Sequence, residues 1–181
     1  KHPNPCYGED EQYRINCQSC VVTYELRRRG LPVEAFGNVD GSMGGQLAYN
    51  TRAAWLDVDG NMPKPIRCFQ LPIDWRSGRW ILTTEKEVLT EFEKKTAEPG
   101  RYHISWTWKK HKGQNKYSGH IITMEVFADG TRRYYDPQTG IESTSINKWM
   151  MDGRRVRFDL KKASLRAYRV DNLRPNPLIV K

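Results

Sequence analysis

The stretch Gly119-His120-Ile121-Ile122-Thr123-Met124-Glu125-Val126-Phe127-Ala128-Asp129-Gly130-Thr131-Arg132-Arg133-Tyr134-Tyr135-Asp136 decides the fold. Two apolar runs flank Ala128-Asp129-Gly130, and Asp-Gly is a turn pair, so the stretch predicts an antiparallel hairpin. With a three-residue loop and Gly130 in the left-handed region, Phe127 pairs with Thr131. Continued down the strands, that register sets Ile122 opposite Asp136 and His120 opposite Gln138, all on one face. His120 and Asp136 are then diagonal neighbours, roughly 7 Å apart at the backbone, a gap that side chains bridge. A two-residue loop would slip the register by one and turn Asp136 to the opposite face.

On the N-terminal side of the hairpin, Arg101–Lys109 alternates, with Tyr102, Ile104, Trp106 and Trp108 on one face and His103 on the other. That is a further strand. Arg154–Leu160 and Leu165–Val170 read as two more, and Pro32–Phe36 as a short one. Lys110–Tyr117 is a basic loop. Thr84-Glu85-Lys86-Glu87 is a capping box ahead of Val88, Leu89 and Phe92, so Glu85–Thr96 is an amphipathic helix that Pro99-Gly100 ends. Ser143–Met151 reads as a short helix closed by Gly153. Gly37–Asn50 is a glycine-rich loop, Ala53–Val58 one helical turn or a short strand, Asp59–Asn61 a turn, and Met62–Asp74 extended or looped. Lys1–Tyr13 is an irregular lead-in. With the first helix ahead of most of the sheet, the expected class is α+β with a mainly antiparallel sheet.

That first helix is Asn16-Cys17-Gln18-Ser19-Cys20-Val21-Val22-Thr23-Tyr24-Glu25-Leu26-Arg27-Arg28-Arg29-Gly30. Asn16 is the expected N-cap, its side chain accepting a first-turn N–H. Arg27–Arg29 complement the negative end of the dipole, and Gly30 fits just past the helix. Cys17 is then the first helical residue, where unpaired N–H groups and the dipole favour a thiolate. A cysteine nucleophile needs a base and a group to orient it. His2 lies in the lead-in, His111 in the basic loop, and His103 on the face opposite the aromatics. His120, across the hairpin from Asp136, is the candidate base. The expected catalytic set is Cys17, His120 and Asp136, with Gln138 as an accessory and Cys20 as the alternative nucleophile.

The chain has 181 residues, 38% of them hydrophobic, with six Trp and nine Tyr, which is enough for a folded domain with a real core. One domain is expected over 1–181. No apolar run approaches a membrane span. Lys1 rather than Met opens the chain, which reads as the C-terminal piece of a longer polypeptide. The net charge of +9 suits an acidic partner: nucleic acid, a membrane surface or an acidic protein such as an inhibitor. Four cysteines (Cys6, Cys17, Cys20 and Cys68) are too few to staple a chain this long, so reduced thiols are expected, with a Cys6–Cys68 bond as the alternative.

Asn16-Cys17-Gln18-Ser19-Cys20, with Tyr24–Gly30 and Val33-Glu34-Ala35, resembles the start of the papain-fold toxin group. These are glutamine-deamidase-like domains of bacterial polymorphic toxins, with similar domains on phage head proteins. Gly119-His120-Ile121 and Tyr135-Asp136-Pro137-Gln138-Thr139-Gly140 resemble the group's histidine and aspartate motifs; no motif is recognised over Phe36–Lys110. The resemblance implies a papain-like fold and a cysteine hydrolase that deamidates glutamine side chains of a target protein. The same triad serves a protease or a transglutaminase. It also implies a toxin or effector that is secreted or delivered into a target cell's cytoplasm, an acidic immunity protein as partner, and no cofactor or metal.

Three other readings compete. Cys17-x-x-Cys20 has zinc-ligand spacing but lacks a second ligand pair. A thioredoxin-like redox pair would need a strand ahead of the helix, and Glu9–Ile15 is a poor one. A basic nucleic-acid-binding or nuclease domain would use Lys109–Lys116, with Trp106 and Trp108 stacking on bases.

Overall fold

The computed structural model describes residues 3–67, 73–74, 76–77, 79–80, 84–153, 155–159 and 165–179. The hairpin forms as its turn chemistry requires. Gly130 takes φ +82°, Gly130 N donates to the Phe127 carbonyl, and Phe127 N donates to the Thr131 carbonyl, both at 2.9 Å. The loop therefore has three residues, and pairing runs from Val126–Arg132 to Thr123–Tyr135.

The helices among the described residues are α1 (Glu11–Arg14), α2 (Cys17–Arg28), α3 (Met43–Tyr49), α4 (Glu85–Lys95) and α5 (Asn147–Met150). Three two-stranded pairs are β1 (Trp55–Leu56) with β12 (Arg174–Pro175), β3 (Ile73–Asp74) with β4 (Arg79–Trp80), and β9 (Met151–Asp152) with β10 (Arg155–Val156). The main sheet runs, in spatial order, β2 (Ile66–Arg67), β11 (Arg166–Arg169), β5 (Gly100–Thr107), β6 (Gly119–Val126), β7 (Arg132–Tyr135) and β8 (Glu142–Ser143). Every pair of these strands is antiparallel, so the fold class is α+β.

Side chains alternate across the sheet, so each face carries its own core. On one, Tyr102, Ile104, Trp106, Ile122 and Met124 meet Val88 and Phe92 of α4 and Trp149 and Met150 of α5. On the other, Val21, Val22 and Leu26 of α2 meet Ile121 and Tyr168. The helix whose first residue is Cys17 is thereby held against the central strands. Under it, buried His103 meets the Tyr168 hydroxyl through Nδ1 at 3.1 Å, and burial pushes its pKa down to about 3. It is a neutral core histidine, on the face the alternation predicted.

The capping box is present in both directions: Glu87 N donates to Thr84 Oγ1 at 3.3 Å and Thr84 N to Glu87 Oε2 at 2.7 Å. Thr84→Ala should cost about 1 kcal/mol. In a domain of this size that lowers the melting temperature by about 2–4 °C, readable by circular dichroism.

Several segments differ from expectation. Gly37–Asn50 contains α3, capped by Ser42 Oγ, which accepts from Gly45 N at 3.2 Å. Its glycines reflect packing rather than flexibility: a Cβ on Gly44 or Gly45 would strike the carbonyl oxygen of Gly37 or Val39. Pro32–Phe36 joins no sheet, because its donors are taken elsewhere. Ala35 N donates to the Pro3 carbonyl and Phe36 N to Ser19 Oγ. The lead-in includes α1, capped by Asp10. Ala53–Val58 combines the end of a 3-10 turn, Thr51–Ala54, with β1. The helix expected over Ser143–Met151 shortens to α5. Of Arg154–Leu160, β10 and a bridge from Phe158 to Trp108 are seen. Cys68, and with it a Cys6–Cys68 bond, lies outside the described residues.

Candidate active site

α2 starts at Cys17, and the Asn16 carbonyl accepts from Cys20 N at 3.1 Å. The Asn16 side chain, however, does not cap the helix. A side-chain cap needs an extended backbone, and Asn16 has φ −102° and ψ 27°. Its carboxamide is instead the hub of a buried network. Nδ2 donates to Asn4 Oδ1 at 3.1 Å and to the Phe36 carbonyl at 2.9 Å. Oδ1 accepts from Asn4 Nδ2 at 3.2 Å, from Cys20 Sγ at 3.3 Å and from Gln138 Nε2 at 3.3 Å. Asn16→Ala would strand several buried donors, each costing about 1–3 kcal/mol. We expect a lower urea midpoint with an unchanged slope.

The β6–β7 ladder stops at Thr123–Tyr135, so the expected pairings of Ile122 with Asp136 and of His120 with Gln138 do not form. Pro137 has no N–H to give a ladder. The chain turns here, with Gln138 N donating to Asp136 Oδ1 at 3.0 Å and Gly140 N to the Asp136 carbonyl at 2.8 Å. The turn nevertheless leaves Asp136 beside His120: Nε2 and Oδ2 are 2.8 Å apart. The Cys17 sulfur is near enough to the imidazole to help stabilise a charge on it. Gln138 touches Asn16 and, through its N–H, Asp136.

The electrostatics follow from these contacts. Burial opposes a charge on His120, but the Asp136 carboxylate and the Cys17 sulfur outweigh it and push its pKa up to about 10. Burial alone would raise the Asp136 carboxyl. Hydrogen bonds and charge from His120, with help from Thr139 and Gln138 N–H, hold it below the usual carboxylate range. Cys20 is fully buried, and burial, reinforced by Cys17 and Asp136, pushes its thiol pKa up. Its thiol donates to Asn16, so Cys20 is placed as a packed neutral group while Cys17 lies on the His120 side.

Trp106, directly opposite His120 across β5–β6, packs edge-on at 5.4 Å between ring centres, and Trp108 stacks on the same imidazole at 6.3 Å. At 3% exposure Trp106 has no face to offer a base. Beside His120 opens a cleft of about 520 Å³ between the start of α2, the end of α3 and the ends of β5, β6 and β11. Among the described residues no group of three or more His, Cys, Asp or Glu side chains is placed to hold a metal ion, and no helix is long and apolar enough to cross a membrane.

The sequence reasoning missed Asn4, which lies in a lead-in with no periodicity to mark it, and Arg52 and Arg166, which line the cleft from segments far apart in the chain. When the chain is compared with protein-family models and with curated proteins, nothing matches.

Proposed function

We propose that this protein is a papain-like cysteine amidohydrolase that deamidates glutamine side chains of a target protein. The observation that carries the reading is His120, held by Asp136 at 2.8 Å and facing Cys17 at the first turn of α2. Papain-like enzymes, which the motifs resemble, take cysteine, histidine and orienting group from the same kinds of element. The uncapped helix start fits as well. With no side chain capping α2, the first-turn N–H groups are available to an oxyanion.

The steps follow from the geometry. An imidazolium is the partner a thiolate requires. The Cys17 sulfur attacks the carboxamide carbon, and the oxyanion forms at the α2 N–H groups. His120 gives its proton to the leaving nitrogen, and ammonia departs, leaving a thioester. Neutral His120 then takes a proton from water, whose oxygen attacks the thioester. The sulfur leaves, and the product is glutamate. Asp136 keeps the imidazole oriented and stabilises its charge. On the same resemblance, the domain acts as a toxin or effector and is restrained by an acidic protein.

The test is incubation with a glutamine-containing peptide, following ammonia release and intact mass. A gain of about one mass unit with ammonia supports deamidation. Peptide-bond cleavage would reassign the substrate, and absence of both would overturn the proposal.

A further inference from the structure

The cleft beside His120 is cationic on its far side. Cross-strand pairing sets Arg67 opposite Arg166, Arg166 opposite Ser105, and Ser105 opposite Ile121, one row across the same face. Arg166 and Arg52 line the cleft with Gln18, Trp106, His120 and Tyr168. Arg52 is anchored at the rim by Nη1, which donates to the Pro63 carbonyl at 3.0 Å. Like charges directly opposite on a sheet are destabilising. Burial and repulsion from Arg67 and Arg52 lower the Arg166 pKa. Among the described residues no Asp or Glu lines the cleft, and none forms an ion pair with these three arginines. Elsewhere in this sheet Arg101 is paired with Glu25, Arg133 with Glu142 and Arg169 with Asp171. The cleft also holds a buried acceptor without a partner, Gln18 Oε1, suited to a substrate N–H.

We propose that this cleft is a carboxylate subsite, and that the protein selects peptide segments with an acidic residue two or three positions from the reacting glutamine. The inference rests on the amidohydrolase reading above and adds the substrate class. The spacing comes from the sheet. Arg166 sits two strands from β6, about 10 Å at about 4.8 Å per strand, and an extended peptide covers that in about three residues. The reach of the guanidinium shortens it by about one. A planar guanidinium pairs a carboxylate in two parallel hydrogen bonds, which supplies direction as well as charge.

The experiment uses three fluorescent peptides sharing one glutamine, with glutamate, alanine or lysine placed two and three positions away. For the wild-type protein, kcat/KM for the glutamate peptide should exceed that for the alanine peptide by about 10–100-fold, and the lysine peptide should be poorest. In the double variant Arg52→Gln, Arg166→Gln the ratio should fall close to one. The control Arg133→Gln, which removes one positive charge on the opposite side of the sheet order, should keep the ratio. Removing repelling cations should not lower the melting temperature of the double variant. If no peptide is turned over, that failure counts against the amidohydrolase reading, and the subsite is tested by fluorescence-anisotropy binding of the same peptides. Equal rates or affinities for all three, or a preference that survives in the double variant, would overturn the subsite. So would an oligothymidylate that displaces the glutamate peptide at lower concentration, since the cleft would then belong to nucleic acid.

Discussion

Cys17→Ala should reduce turnover of a glutamine peptide by a factor of about 10^4 or more, because the step that forms the thioester has no other nucleophile. Cys20→Ala should stay within about tenfold of wild type, since its thiol is committed to the Asn16 carboxamide. Cys17 lies at the helix start beside the imidazole, whereas Cys20 is fully buried and donates its thiol to Asn16 Oδ1. Ammonia release by the two variants, with a thermal melt of each, decides the matter. Cys17→Ala should melt close to wild type, because the change removes one sulfur at the edge of the core. Full activity in Cys17→Ala with loss in Cys20→Ala would exchange their roles. Activity in both would end the cysteine mechanism.

Asp136→Ala should lower kcat/KM at neutral pH by about 10^2–10^4 and move its basic limb to lower pH. In the wild-type protein His120 has its pKa pushed from 6.5 up to about 10, so the imidazolium persists through neutrality and is lost as pH rises through about 10. Without the carboxylate, the opposing effect of burial dominates and the imidazolium is lost nearer neutrality. A basic limb that stays in place would rule out Asp136 as the group supporting that charge.

The same shifts predict stability against pH. A raised His120 pKa contributes stability that is fully present below its unfolded value of 6.5 and fades as pH rises through about 10. A lowered Asp136 pKa contributes stability that is present above its unfolded value of 3.8 and fades as pH falls through its folded value. Melting temperature should therefore fall at both ends of the scale, and Asp136→Ala should flatten both slopes.

What was legible in the chain was local. Asp129-Gly130 specifies a left-handed turn residue, so loop length and register followed from a few neighbouring residues. Thr84 and Glu87 cap each other within one turn. The alternation of Arg101–Lys109 assigned His103 and Trp106 to opposite faces before any packing was known. The approach of His120 to Asp136 was legible for the same reason, since His120 lies at the start of one strand of that hairpin and Asp136 directly follows the other. Asn16 shows where this stops. A good N-cap residue was the correct local inference, yet its carboxamide bonds Asn4, the Phe36 carbonyl, Cys20 and Gln138 instead. None of those bonds is visible until the segments meet. Gly44 and Gly45 read as loop residues because helix propensity disfavours glycine. The close approach of the Gly37 and Val39 carbonyls demands them in α3.

By itself the sequence determined the antiparallel hairpin, the two main helices, the α+β class and the residues worth suspecting, because each depends on interactions within a few residues or across one tight turn. Only the tertiary structure decided which sulfur faces His120, why the mouth of α2 is left uncapped, and how Arg52, Arg67 and Arg166 gather beside the site. Those outcomes come from contacts between residues far apart in the chain, where burial and charge act on geometry that no local pattern encodes.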